Sequence, residues 1–239
     1  MAIKRKGSSK KVYIAIFILV ILIVATAAII YVTQPAPVKA VVGVHVGDRP
    51  GNSSGDSFTY SIVGTSTLTG LDAVETPGFS QYNQTDYYKI TITGVNGTSV
   101  SFDTLWRFQN GTETTGSQAI DLSNGNKTVY SGFWAIYASN LKVGDLLRPS
   151  GFDRITVNAT DTKTYADSTR ARNFMLTGGE SFLATDPTHN TLRYDDIRVW
   201  FDKQTGMLEN LNWVTYYNNP EMTEAITWKL VNSTVWAVQ

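Results

Sequence analysis

Few residues in this chain are of the types that do chemistry, and their spacing narrows the choices further. There is no cysteine, which removes thiolate metal sites, a Cys nucleophile, disulfides and a lipid-modified Cys. The two histidines, His45 and His189, stand far apart and without a second His at helical spacing, so they read as loop or surface residues rather than as zinc ligands or parts of a nucleophilic triad. No G-x-S-x-G, H-E-x-x-H or phosphate-cradling glycine loop occurs, and no motif calls for a cofactor. The remaining catalytic option is a carboxylate pair of the glycosidase kind. Asp195 and Asp196 are adjacent, so in a strand they point to opposite faces. Asp202 and Glu209 flank the turn Asp202-Lys203-Gln204-Thr205-Gly206 and could approach, although acids at a hairpin edge are usually solvated. A hard cation has one weak candidate: Asp48, Asn52 and Asp56 bracket a Gly-containing loop of oxygen donors that lacks the acid spacing of an EF-hand.

Two features stand above this background. N-x-S/T acceptor sequences begin at Asn52, Asn83, Asn96, Asn110, Asn126, Asn158 and Asn232, seven of the fifteen asparagines, which points to N-glycosylation if the segment faces outward. Asn-Gly-Thr is also good turn chemistry, so Asn96 and Asn110 have a second reason to be where they are. The six tryptophans all lie after residue 100. Their bulk fits a core short of leucine. The functional reading is an aromatic cavity lined by Trp106, Trp134, Trp200, Trp213 and Trp228.

The elements that must position these residues are strands. Phe58, Tyr60 and Ile62 alternate with polar residues, as do Tyr88, Ile90 and Ile92, then Val100, Phe102, Trp106 and Phe108, and finally Ile226, Trp228 and Leu230. Each run is a strand with one buried and one wet face. Asn96-Gly97 predicts a type I′ hairpin turn, Asn110-Gly111 and Asn124-Gly125 repeat the device, and the 202–206 segment predicts a longer hairpin loop. A short helix fits only near Gly78–Tyr82 or Ala166–Phe174. The expectation is an all-β, mainly antiparallel domain over residues 42–239: one curved sheet, or a partly open barrel or sandwich, of about eight to ten strands meandering in sequence order.

Ahead of it stands a different kind of segment. Residues 12–32, VYIAIFILVILIVATAAIIYV, carry no charge and would span about 30 Å as a helix, the thickness of a bilayer core. Tyr13 and Tyr31 mark its ends, and Lys4, Arg5, Lys6, Lys10 and Lys11 precede it. The positive-inside rule then assigns residues 1–11 to the cytoplasm and the C-terminal domain to the outside, with 33–41 a Pro-containing linker. A signal peptide cut after Ala40 is the alternative, against which the apolar run exceeds the usual length of about 7–15 residues. A pilin-type leader cut near Gly7 is disfavoured by the polar residues from Ser8 to Lys11. Beyond residue 41, 20 carboxylates face 14 Lys and Arg, an excess of six negative charges that is unsuited to holding nucleic acid.

The runs VHVGD, SFTYSIVG and YYKITITGVNGTSVSFDTLWRFQNGTE, followed by NLKVGDLL and VWFDKQTGMLENLNWV, resemble uncharacterised archaeal membrane-anchored surface proteins, with VGD…FTY opening the outer domain and a DKxTG hairpin near its end. FDKQTGMLENL also resembles a hairpin of the LolA-like lipoprotein carriers, which implies a curved sheet around an apolar cavity; those carriers have a lipidated Cys that this chain lacks. The function expected is a membrane-anchored, extracytoplasmic, non-catalytic β-domain that binds a ligand or builds the envelope, with an apolar ligand, a glycan or an envelope protein as partner. A LolA-like lipid carrier and a carboxylate-based hydrolase of envelope glycans are the alternatives.

Overall fold

The computed structural model describes residues 39–46, 55–128, 135–151, 154–182 and 190–238, together with Tyr13, Ile16, Phe17 and residues 19–23. The chain divides into two compact units, Met1–Pro37 and Val38–Gln239. In the first, the described residues are helical and exposed. Among the described residues no helix is long and apolar enough to cross a membrane. The rest of the 12–32 run and the basic segment before it lie outside them.

The second unit is all-β: one open antiparallel sheet of nine strands. The strands are β1 (Ser57–Leu68), β2 (Thr85–Asn96), β3 (Ser99–Phe108), β4 (Glu113–Asp121), β5 (Ala159–Thr164), β6 (Thr169–Phe182), β7 (Leu192–Asp202), β8 (Leu208–Asn218) and β9 (Glu221–Ser233). Their order is β4-β3-β2-β1-β9-β8-β7-β6-β5, so two meanders meet where the first strand pairs with the last. A single meander in sequence order was the expectation. The difference arises because residues 122–158 carry the chain from one edge strand, β4, to the other, β5.

The alternating runs bury the faces expected of them. Phe58, Tyr60, Ile62, Ile90, Ile92, Val100 and Phe102 are at most 3% exposed, each contributing about 1.5–3 kcal/mol of apolar burial. The long connection covers this face. Ile136 bridges Met207 in antiparallel fashion, Tyr137 N–H donates to the Gly206 carbonyl, and Leu208 N–H donates to that of Ala135. Arg148, itself buried, donates to the Ile136 carbonyl at 2.7 Å. The leading segment joins in: Ser139 N–H donates to the Val41 carbonyl, and Ala40 and Val44 enter the core. The compact unit thus begins inside the segment read as a linker. A Cβ on Gly43 would lie 2.1 Å from the Gln204 carbonyl oxygen, so backbone meets backbone there.

The turns fall where the sequence puts them, but none of the three Asn-Gly turns is type I′. The β2–β3 hairpin pairs Asn96 with Ser99, leaving Gly97 and Thr98 as the central residues, with positive φ at Gly97 alone. That is the type II′ pattern rather than the expected type I′. The cause is a register shift between Ile92 and Gly94, which takes up one residue and moves the turn forward. Gly111, Gly125 and Gly206 take positive φ in their turns, but Asn110 and Asn124 do not, so the type I′ device expected there is absent as well: the first loop closes between Phe108 and Thr112 and the second between Asp121 and Asn126. The short helix α1 (Ser80–Asn83) forms next to Gly78. The other helical expectation, Ala166–Phe174, is instead the β5–β6 turn and the start of β6, where strand pairing on both sides prevails over local preference.

Candidate ligand site

On the covered face, β9 presents Glu224, Ile226, Trp228 and Leu230 in succession, and β8 presents Leu211, Trp213 and Thr215 beside them. Leu211 pairs with Trp228, Trp213 with Ile226 and Thr215 with Glu224. Trp228 also faces Ile62 of β1. It packs on Tyr88 and Tyr60 at centroid distances of 5.0 and 5.8 Å.

The β1–β2 connection, residues 69–84, straps across this end of the face. Gly70 N–H donates to the Glu221 carbonyl at 2.7 Å. Thr76 donates from its backbone N–H and its Oγ1 to the two carboxylate oxygens of Glu224, at 2.7 and 2.8 Å. Gly64 N–H donates to Asn83 Oδ1 at 3.2 Å. Gly64 is required for this seat, because a Cβ there would lie 2.9 Å from the Tyr82 Cβ and 3.3 Å from the Phe79 ring. Helix α1 then places Tyr82 over the sheet, its ring stacked on Trp106 at 6.0 Å. Between strap and sheet remains a hollow of about 50 Å³, lined chiefly by Tyr82, Leu208, Leu211, Trp213, Ile226 and Trp228.

The polar groups around the hollow are arranged unequally. Asp195 Oδ1 accepts from Trp213 Nε1, Thr215 Oγ1 and Arg193 Nη2, at 2.8, 2.7 and 2.9 Å. Its other oxygen lies 2.9 Å from Arg193 Nε, so its charge is balanced. Asp196 points to the other face and pairs with Arg198. Glu224 is 5% exposed and has Thr76 as its hydrogen-bond donor, with no cation pairing with it among the described residues. Burial, then the nearby Glu224 charge, pushes the Tyr82 phenol above its ordinary range.

A second buried polar group sits at the Asp202–Gly206 hairpin. Asp202 and Glu209 are both fully buried, against the expectation of solvated edge acids, because the 135–141 segment pairs along the hairpin. Asp202 accepts from Thr205 N–H and Oγ1 and pairs with Arg170 at 2.8 Å. Glu209 occupies the register shift where Trp200 pairs with Asn210 and Phe201 with Leu208. Bulges re-aim side chains in this way. Its nearest cation is Arg172 at 3.8 Å, and neither oxygen has a well-formed hydrogen bond. Burial raises its pKa, while the neighbouring Tyr165 hydroxyl and Lys163 pull the other way.

Of the tryptophans expected to line a cavity, Trp213 and Trp228 do so. Trp106 stands behind Tyr82 and donates to Thr85 Oγ1 at 2.8 Å. Trp200 packs on Phe174 at 4.8 Å, away from the hollow, and Trp134 lies outside the described residues. Tyr82 and Glu224 are the site residues that sequence reasoning missed, and alternation along β9 was the signal available for Glu224. Asn83, Asn96, Asn110, Asn126, Asn158 and Asn232 are all exposed, whereas Asn173, which carries no acceptor motif, is fully buried. Asn52 is not among the described residues. Of the cation candidates, Asp48 and Asn52 also lie outside them, and Asp56 is buried, accepting from His45 N–H at 2.9 Å. Compared with known protein families and with curated proteins, the chain matches none.

Proposed function

We propose that this chain is a membrane-anchored surface protein whose extracytoplasmic β-domain is a non-catalytic ligand-binding module, with the strapped hollow as its site. The observation that carries this reading is the convergence of Tyr82, Trp213 and Trp228 on unfilled space beneath a loop that Thr76 pins to Glu224. Half-buried aromatic side chains around a concavity, with a few fixed polar groups at the rim, are the usual make-up of a small-molecule site. A hollow of about 50 Å³ is far below what an acyl chain needs, which favours a small ligand group over the cargo of a lipid carrier. For hydrolysis, Asp195 is occupied by three donors, and Asp202 and Glu209 are buried under the connecting segment. The anchor rests on the apolar 12–32 run and its basic flank, and the exposed acceptor asparagines fit an N-glycosylated outer surface.

The test is a panel of small apolar, cationic and sugar-like fragments titrated against the full chain in a maltoside detergent, observed through the six tryptophan indole N–H resonances. Selective movement of the Trp213 and Trp228 signals is expected. Movement confined to the others, or none with any fragment, would remove the hollow as a site. Alkaline extraction of membranes and protease protection test the anchor and its orientation separately.

A further inference from the structure

We propose that the hollow takes a small alkylammonium cation, held by the faces of Tyr82, Trp213 and Trp228 and by the buried carboxylate of Glu224. This rests on the reading of the hollow as a ligand site and names the chemistry of its ligand.

Glu224 is 5% exposed and its hydrogen-bond donor is Thr76, yet no Lys, Arg or His pairs with it among the described residues. A buried carboxylate is costly unless a counter-charge offsets it. Asp195, one strand beyond Thr215, shows what compensation looks like, with Arg193 bound to both its oxygens. The missing cation at Glu224 has an obvious place. Glu224 sits one inward position along β9 from Ile226, which lines the hollow, and diagonally across from Trp213. Glu224 pairs with Ser66, two positions along β1 from Gly64, over which Tyr82 is seated.

Lining chemistry points the same way. Three electron-rich rings around one small space attract a cation through their quadrupoles, an arrangement that recurs wherever methylated ammonium groups are recognised. One of the rings already receives a cation from the chain itself, since the Arg193 guanidinium lies 5.9 Å from the Trp213 centroid. A neutral apolar ligand would fill the space but leave Glu224 uncompensated. A sugar ring or acyl chain exceeds the volume. An ammonium group with small alkyl substituents asks the least widening of the hollow of these three while supplying the counter-charge. The surplus of negative charge beyond residue 41 favours the approach of such a ligand.

The experiment compares tetramethylammonium chloride with tert-butyl alcohol, a neutral molecule of nearly the same size, on the full chain in dodecylmaltoside at fixed ionic strength set with sodium chloride. Tryptophan fluorescence and the Trp213 and Trp228 indole shifts are the readouts. The cation is expected to bind saturably, at least about tenfold more tightly than the alcohol, and Glu224→Gln to lose that preference while keeping the thermal midpoint near that of the parent. Equal affinity for the two probes would overturn the cation assignment and leave the hollow as a site for neutral groups. No saturable response to either would overturn both readings. Should Glu224→Gln fail to fold, the comparison of the two probes on the parent protein decides alone.

Discussion

Glu224 and Glu209 are both glutamates on the last two strands and both withdrawn from water, yet their surroundings are opposite in kind. Glu209 lies among cations, with Arg172 at 3.8 Å and Lys163 nearby, but without good hydrogen bonds. Glu224 has well-formed hydrogen bonds from Thr76 and, among the described residues, no cation pairing with it. Around Glu209 the chain has closed itself, with Asp202 pairing Arg170 under the connecting segment and Trp236 seated over the Arg170 guanidinium at 4.2 Å. Beside Glu224, one inward position along β9, lies the hollow, and Thr76 of the strap is fastened to the Glu224 carboxylate. The contrast separates a polar group that serves the fold from one available to a ligand. Enclosure among the chain's own cations marks the first, and, on the function proposed above, a neighbouring hollow marks the second.

Four substitutions sharpen or break this contrast. The largest effect is expected at Asp202→Ala, which strands the Arg170 guanidinium and frees the Thr205 N–H. Urea unfolding should show a loss of about 3–5 kcal/mol, the range for removing one member of a buried pair. Gly64→Val comes next. Its side chain must displace Tyr82 and Phe79, at about 1–3 kcal/mol for overpacking. Hydrogen exchange should accelerate in residues 69–84 well before it does in β7 and β8. Thr76→Ala removes one of the two bonds to Glu224 and should cost about 1.5 kcal/mol, again with faster exchange confined to the strap. Uniform acceleration in either variant would mean that the strap is part of the core rather than a fastened cover.

The fourth substitution, Glu209→Gln, is read through pH. Burial holds the folded-state pKa of Glu209 above its ordinary value of 4.5. In the window above 4.5 the folded protein therefore binds more protons at this site than the unfolded chain does, and the contribution of Glu209 to stability falls as pH rises. The variant should match the parent below that window and become the more stable of the two as pH increases toward neutrality. Thermal melts across the range check the sign. A parent that gains on the variant with rising pH would show that Arg172 and Lys163 outweigh burial.

Much of the sheet was legible from alternation, since Phe58-Tyr60-Ile62 and Tyr88-Ile90-Ile92 have to face one side. The pairing of β1 with β9 was not, because no local pattern encodes contact between strands so far apart in the chain. The type II′ turn at Gly97 was missed because the Asn-Gly pair is the louder signal, whereas Gly94, a glycine inside a strand run and so the mark of a bulge, shifts the register before it. At the site, the tryptophans announced themselves by bulk, but which of them share a cavity depends on register: Trp213 and Trp228 converge only because Leu211 pairs with Trp228, and Trp200 falls on the other face by alternation from Val199. Tyr82 was hidden because alternation says nothing of where a single-turn helix between two strands will set its side chains. The acids at the 202–209 hairpin looked solvated until a distant segment came to pair along them.

The most direct test of the ligand site is a crystal of the protein grown with tetramethylarsonium, an anomalously scattering analogue of tetramethylammonium. An arsenic peak is expected between Tyr82, Trp213 and Trp228, on the side of the hollow nearer Glu224. A hollow without a peak, in crystals whose anomalous map shows arsenic elsewhere on the molecule, would contradict it.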